Sequence, residues 1–316
     1  MSVREGVGVP DPDPAAARAG TVRSGSPWAV HGALLAAQTG FALFPILGKV
    51  ALAGIPALPL AAIRVVSAGV LLEAVRRAAG ERELEPRDRK AVFLYALLGV
   101  SFNQMLFILG LSMTTAINTS LLTATIPVFT LAVAVLLGRE RMAPAAAAGV
   151  VLATAGVLVL LDVSRFDFAS RHLRGNLLIL GNALSYSFYL VLSRPILARY
   201  GARTIVSRLF LYGSGPILLA AAPSLARFSP AAARPVAWAC LAGIVIFCTV
   251  LPYLWNSWAL ARTVASRVAF YVFLQPLIAS VLAVTLLGES LSGRTIAAAG
   301  LIFSGMAVTM WRRLAP

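Results

Sequence analysis

Acidic residues are scarce in this chain. Twelve Asp and Glu stand against 27 Lys and Arg, and charged residues make up only 12% of its 316 positions. Soluble domains carry about a quarter charged residues and about half apolar ones. Here 59% are hydrophobic and the mean hydropathy is +0.85. One aqueous core cannot absorb that much apolar surface, so lipid must cover the remainder. Histidine is nearly missing: His31 and His172 are the only two, too few for a zinc cluster. Cys240 and Cys248 lie eight residues apart in one apolar run. That is about 12 Å of helical rise, too long for a disulfide between them, so they read as packed thiols without redox or metal roles. No cofactor is expected.

The net charge of +15 invites a nucleic-acid partner, but the basic residues sit in short gaps between apolar runs, where topology determinants lie. The expected surroundings are therefore the lipid bilayer and not nucleic acid. Residues 1–26, MSVREGVGVPDPDPAAARAGTVRSGS, are polar and rich in Pro, Gly and Ala, without an apolar core of signal-peptide length. They read as a disordered cytoplasmic tail.

A helix needs about 20 apolar residues to cross a bilayer. Runs of that length fall at about 28–48, 57–76, 91–111, 115–137, 143–162, 174–193, 204–223, 236–258, 265–287 and 294–311. With the N-terminus inside, 18 Lys and Arg fall on the cytoplasmic side and 6 on the outer side. Lys49, Arg64 and Arg208 lie within or at the edge of helices. This bias puts both termini in the cytoplasm, as an even helix count requires, in a multi-pass protein of the cell (inner) membrane.

Sliding the chain against itself by 149 residues places Thr114 on Thr263, Ala116 on Ala265, Pro127 on Pro276, Glu140 on Glu289 and Gly156 on Gly305. Coincidences at Pro, Glu, Gly and Thr carry more weight in a membrane sequence than those at Ala, Leu or Val. Each half holds five segments, an odd number, so the second copy is inserted upside down. The expected fold is an all-α integral membrane protein, ten transmembrane helices as two inverted five-helix repeats at 27–162 and 174–312. Inverted repeats are a signature of secondary transporters, with substrate at the repeat interface near the midplane.

Each half resembles the EamA domain of the drug/metabolite transporter superfamily. The likeness rests on Pro127, LLGRE-RM, Gly149 and Gly156; on the second copy LQPLIASVLAVTLLGESLS with Pro276, Glu289 and Gly305; on YLWNSWALARTVAS from Tyr253 to Ser266; and on PLAAIRVVSAGVLL with Arg64. Arg139, inserted before Glu140, and Ala298, where the family has glycine, are departures that leave the fold assignment intact. The resemblance implies a ten-helix carrier for small metabolites, often an exporter of amino acids or related compounds.

Polar groups within a bilayer face the bundle interior or a water-filled cavity. The candidate substrate-binding residues are Gln38, Arg64, Asn103, Asn118, Tyr186, Tyr189, Tyr253, Asn256 and Gln275. His31 and Gln38 share a face, Gln104 adjoins Asn103, and Asn182, Tyr186 and Tyr189 form one stripe. The plainer alternative is interhelical hydrogen bonding, with Tyr and Trp as interfacial belts. Lys49 and Arg64, towards the outer half, attract an anion, gate the path, or snorkel. Glu140 and Glu289, each at the start of a helix, read as turn and cap residues. No Asp or Glu lies deep in any run, which disfavours organic cations and favours neutral, zwitterionic or anionic small-molecule substrates. Proton coupling would fall to His31 or an edge carboxylate. Residues at roughly four-residue spacing, mostly small (Gly149, Ala153; Ala297, Leu301, Gly305), suit a close contact between halves or a homodimer seam.

Enzyme alternatives fare poorly. Gly213-Ser214-Gly215 resembles a nucleophile turn, but no histidine follows position 172 to act as base. Gly48-Lys49 lacks the rest of a phosphate loop. A channel or uncoupled facilitator is the non-enzyme rival. Dispersed polar residues in an inverted repeat suit alternating access better.

Overall fold

The computed structural model describes residues 27–139, 144–161, 169–260, 262, 271–272 and 274–314. The tail 1–26, Glu140 and the segment 263–266 lie outside the described residues. All regular secondary structure among the described residues is helical. In lipid no water can satisfy a free N–H or C=O, and a helix pairs them within itself. The α-helices are α1 (Pro27–Leu52), α2 (Ala57–Ala78), α3 (Arg89–Ala96), α4 (Phe102–Met113), α5 (Ala116–Thr123), α6 (Ile126–Leu136), α7 (Pro144–Leu161), α8 (Arg171–Tyr200), α9 (Ala202–Arg227), α10 (Pro235–Val245), α11 (Leu251–Leu260), α12 (Leu274–Leu287) and α13 (Gly293–Leu314).

Among the described residues seven helical stretches are long and apolar enough to cross a membrane: Trp28–Leu52, Ala57–Ala78, Pro86–Met113, Ala116–Leu136, Arg171–Leu197, Ala202–Arg227 and Pro235–Ala259. Two shorter apolar helices are Ala147–Leu161 and Leu274–Leu287. The chain is a multi-pass membrane protein.

Three of the long stretches are interrupted in ways that periodicity does not reveal. Between α3 and α4 the backbone makes a π-helical turn, Leu97–Ser101. Between α10 and α11 it makes another, Ile246–Val250. Both boundaries differ by 149, the offset of the sequence repeat. Such turns cluster at functional sites. At the first, Gly99 lies against Tyr189, where a Cβ would come within 2.6 Å of the ring. At the second, Thr249 donates its hydroxyl proton to Ile244 O five residues back, at 2.9 Å. The third break, between α5 and α6, precedes Pro127, which has no N–H and whose ring crowds the carbonyl four residues before it. Thr125 Oγ closes the break by donating to Leu122 O at 2.6 Å.

Helix pairing follows the same offset. α2 lies on α9, and α7 on α13. α1 packs on α12 as α8 packs on α6, and α1 packs on α10 and α11 as α8 packs on α4. The α7–α13 crossing is reciprocal in detail. A Cβ on Gly156 would meet Ala298 O at 2.9 Å and Ile302 Cγ1 at 2.8 Å, while one on Gly305 would meet Gly149 O and the Ala153 nitrogen. Shifting by 149 exchanges Gly156 with Gly305, Gly149 with Ala298 and Ala153 with Ile302.

The scarce acids gather at one end. Glu73 takes Arg76 at 2.8 Å and Arg77 at 2.7 Å, and Ser207 donates to it at 2.7 Å. Glu81 pairs with Arg203 at 2.7 Å, and Glu83 with Arg208 at 3.0 Å. Arg199 bridges Glu85 at 3.0 Å and Asp88 at 2.9 Å. These pairs strap the α2–α3 connection to the α8–α9 corner. They employ five of the six acids among the described residues; the sixth is Glu289.

Candidate functional site

Arg64 stands in the middle of α2, 1% exposed. It does not snorkel. Its Nε donates to Thr249 Oγ at 2.8 Å, its NH1 donates to Gln104 Oε1, and its guanidinium lies 3.8 Å from the Phe44 ring centre. All three partners are neutral. No carboxylate pairs with it among the described residues, since all six acids there have other partners. An arginine does not deprotonate in proteins, so a full positive charge is held in the interior.

Gln104 is the hub. Besides accepting from Arg64, its amide donates to Asn103 Oδ1 at 2.8 Å and to the Tyr253 hydroxyl at 3.3 Å. Gln104 and Tyr253 are 149 residues apart, the offset at which the sequence matches itself. Asn103 is in turn clamped to α8. Asn182 Nδ2 donates to Asn103 O at 2.8 Å, and Asn103 Nδ2 returns a bond to Asn182 O at 3.4 Å. Phe41 and Phe210 pack edge-on to Tyr253, with ring centres at 5.5 and 5.1 Å.

A second group adjoins the first. Gln38, 1% exposed, donates to Asn256 Oδ1 at 3.2 Å and accepts from Gln275 Nε2. Asn256 is three residues beyond Tyr253 on α11, and Phe41 three beyond Gln38 on α1, so the two groups share helices. One face of α1 carries both Gln38 and His31, and His31 Nδ1 is hydrogen-bonded to the Tyr271 hydroxyl.

Of the residues that the sequence singles out, Arg64, Asn103 and Tyr253 thus lie in one hydrogen-bonded cluster, and Gln38, Asn256 and Gln275 in the adjoining one. Tyr186 and Tyr189 form a ring pair at 5.4 Å on α8. Asn118 is elsewhere. Its amide donates to Thr114 Oγ at 3.4 Å, in the first turn of α5. Gln104 and Thr249 are not among the candidates that the sequence offers. The 149-residue shift that sets Asn103 on Pro252 also sets Gln104 on Tyr253, and that signal identifies the hub. Nothing in the pattern singles out Thr249 from other helical threonines.

The arrangement is asymmetric where charge is concerned. The 149 shift carries Arg64 to Gly213, where a Cβ would meet Val100 at 2.7 Å. One half supplies a cation and the other fills the equivalent place with a methyl group. A buried cation ringed by amides, hydroxyls and aromatic faces can hold a carboxylate or phosphate by charge-assisted hydrogen bonds. It repels an organic cation.

Two curated relatives from Archaeoglobus fulgidus bear the description uncharacterized transporter. One is 30% identical over 61% of this chain and 66% of its own length, so the chain spans just under two thirds of it. The other is 24% identical over 73% of this chain and 81% of its own length. A solved crystal structure at 22% identity superposes with a TM-score of 0.64, covering 92% of this chain and all of the other, and supports the fold. The EamA-like transporter family matches twice, at residues 28–162 and 173–311. The chain belongs to the EamA-like transporter family.

Proposed function

We propose that this protein is a secondary transporter that moves a small neutral, zwitterionic or anionic metabolite across the plasma membrane, in the export direction, by alternating access. The observation that carries the reading is Arg64. A cation held in the interior without a carboxylate is costly unless something else compensates it, and a substrate anion does so. The place of the charge adds support. It is bonded to Gln104, which touches its own repeat equivalent Tyr253, and in an inverted repeat such a contact belongs on the pseudo-twofold axis at the midplane.

In this reading ten helices form two inverted five-helix repeats with both termini cytoplasmic. The twin π-helical turns, the reciprocal α7–α13 glycines and the matched helix pairings support it. So does the doubled family match. The acids among the described residues are engaged at the helix ends, so the interior favours amino acids and related acids over cationic drugs. The family's character as transporters argues against an enzyme.

The experiment is reconstitution into liposomes. Saturable counterflow of labelled amino acids or other carboxylates supports the carrier, and comparison with and without a proton gradient reads the coupling. Non-saturating ionic current would overturn it in favour of a channel.

A further inference from the structure

The turn between α4 and α5, residues Met113–Ala116, is gripped from three other places in the chain. A helix leaves four C=O groups free at its end and four N–H groups free at its start, and this turn presents both sets together. The carbonyl of Ser112 accepts from Arg171 NH2 at 2.9 Å. The carbonyl of Thr114 accepts from Lys49 Nζ, and the Thr114 hydroxyl donates to Asn176 Oδ1 at 2.6 Å. On the other side, the Glu289 carboxylate receives the backbone N–H of Ala116 at 2.7 Å and of Ile117 at 3.0 Å. Glu289 does not cap the helix that follows it, as its place in the sequence suggests. It reaches across to the start of α5, 173 residues away in sequence for Ala116, from a turn made by Gly288 at a φ of 65°.

These bonds converge from the end of α1, the start of α8 and the α12–α13 turn. A carboxylate on two free N–H groups at a helix start is favoured by charge-assisted hydrogen bonding and by the helix dipole. The Lys49, Arg171 and Glu289 contacts are polar and part-buried or exposed, where water can replace them; the Thr114–Asn176 bond is buried. Of these, the Lys49 and Glu289 bonds form a closure that is separate from the buried Thr114–Asn176 bond.

We propose that Glu289 and Lys49 are the latch that shuts the outer face of the carrier, and that their release from the α4–α5 turn is its opening step. The sequence makes the latch one-sided. The 149 shift pairs Glu289 with Glu140 and Ala116 with Ala265, but Lys49 with Ala198. By sequence, the outer turn has a lysine where the equivalent position carries Ala198, and this added bond biases the resting chain towards a closed outer face and loading from the cytoplasm. This rests on the alternating-access reading, and it supplies a structural cause for the direction proposed there.

The test reads accessibility and needs no substrate. Ser120, buried one turn into α5, is changed to cysteine in a chain with Cys240→Ala and Cys248→Ala. Intact cells are treated with a membrane-impermeant maleimide. Labelling is slow in this parent and at least about tenfold faster with Glu289→Gln, in which an NH2 faces one of the two N–H donors. Lys49→Met, which leaves the helix cap intact, gives a smaller rise in the same direction. Both variants are first checked for monodisperse elution and an unchanged trypsin pattern, and Lys49→Met carries the test if Glu289→Gln does not fold. Equal labelling of parent and folded variants overturns the proposal, as does a rise seen only in inside-out vesicles. Absence of counterflow alongside accelerated labelling would sink the transport reading and leave the latch standing.

Discussion

Gln104 and Tyr253 lie 149 residues apart, the offset at which the sequence matches itself, and are hydrogen-bonded to each other at 3.3 Å. One partner is an amide and the other a phenol, so the contact is chemically lopsided, and Arg64 approaches it from one side only.

Arg64 is the first residue to alter. Arg64→Lys retains charge but loses the planar fork that reaches Thr249 and Gln104 together. Arg64→Met removes the charge as well. Hydrogen bonds to charged groups contribute about 1.5–3 kcal/mol, or about ten- to a hundredfold in affinity. Counterflow by Arg64→Lys should show KM raised by about tenfold or more, and Arg64→Met should fall below detection while still eluting as a folded protein. Unchanged KM in both would remove Arg64 from the site.

Gln104 and Tyr253 should differ in weight. Tyr253→Phe deletes one bond, and interhelical hydrogen bonds in membranes average about 0.6 kcal/mol. Its thermal stability in detergent should fall by no more than a few degrees. Gln104→Leu strips Arg64, Asn103 and Tyr253 of a partner at once and should be the more damaging, in stability and in transport. A double variant no worse than Gln104→Leu alone would establish that the two residues act through this bond.

The α7–α13 seam makes a prediction about packing alone. An added methyl at Gly305 falls on the Ala153 nitrogen and Gly149 O, closer than one at Gly156, which meets Ala298 O and the Ile302 nitrogen at 2.9 Å and Ile302 Cγ1 at 2.8 Å. Both face backbone that cannot easily yield, and the approach at Gly305 is the closer, so Gly305→Ala should destabilise more than Gly156→Ala, within the roughly 1–3 kcal/mol typical of overpacking. Gly215→Ala, with nothing within 4 Å of the added carbon, is the control and should leave the melting temperature unchanged. A loss at Gly215 equal to that at Gly305 would contradict the close approach of these helices.

Much of this is legible in the order of the amino acids. Apolar length identifies the helices that lie in lipid, because a bilayer demands a continuous run and an internally bonded backbone. Exact coincidences such as Pro127 with Pro276 reveal the repeat, since proline, glutamate and glycine are tied to backbone geometry and survive where Leu and Val interchange. The shortage of acids points away from cationic substrates.

Tertiary structure decided which polar groups meet. Asn103, Gln104 and Asn118 are equivalent to the eye in a sequence. The first two follow the π-helical turn at Leu97–Ser101 and meet α8 and α11, and Asn118 is left in the first turn of α5. Thr249 becomes a ligand for Arg64 only through a π-helical turn that no periodicity announces. Glu289 illustrates the limit most sharply. Its neighbours in sequence suggest a local cap, yet its carboxylate serves a helix start far along the chain, because free N–H groups take the nearest carboxylate in space whatever its position in sequence.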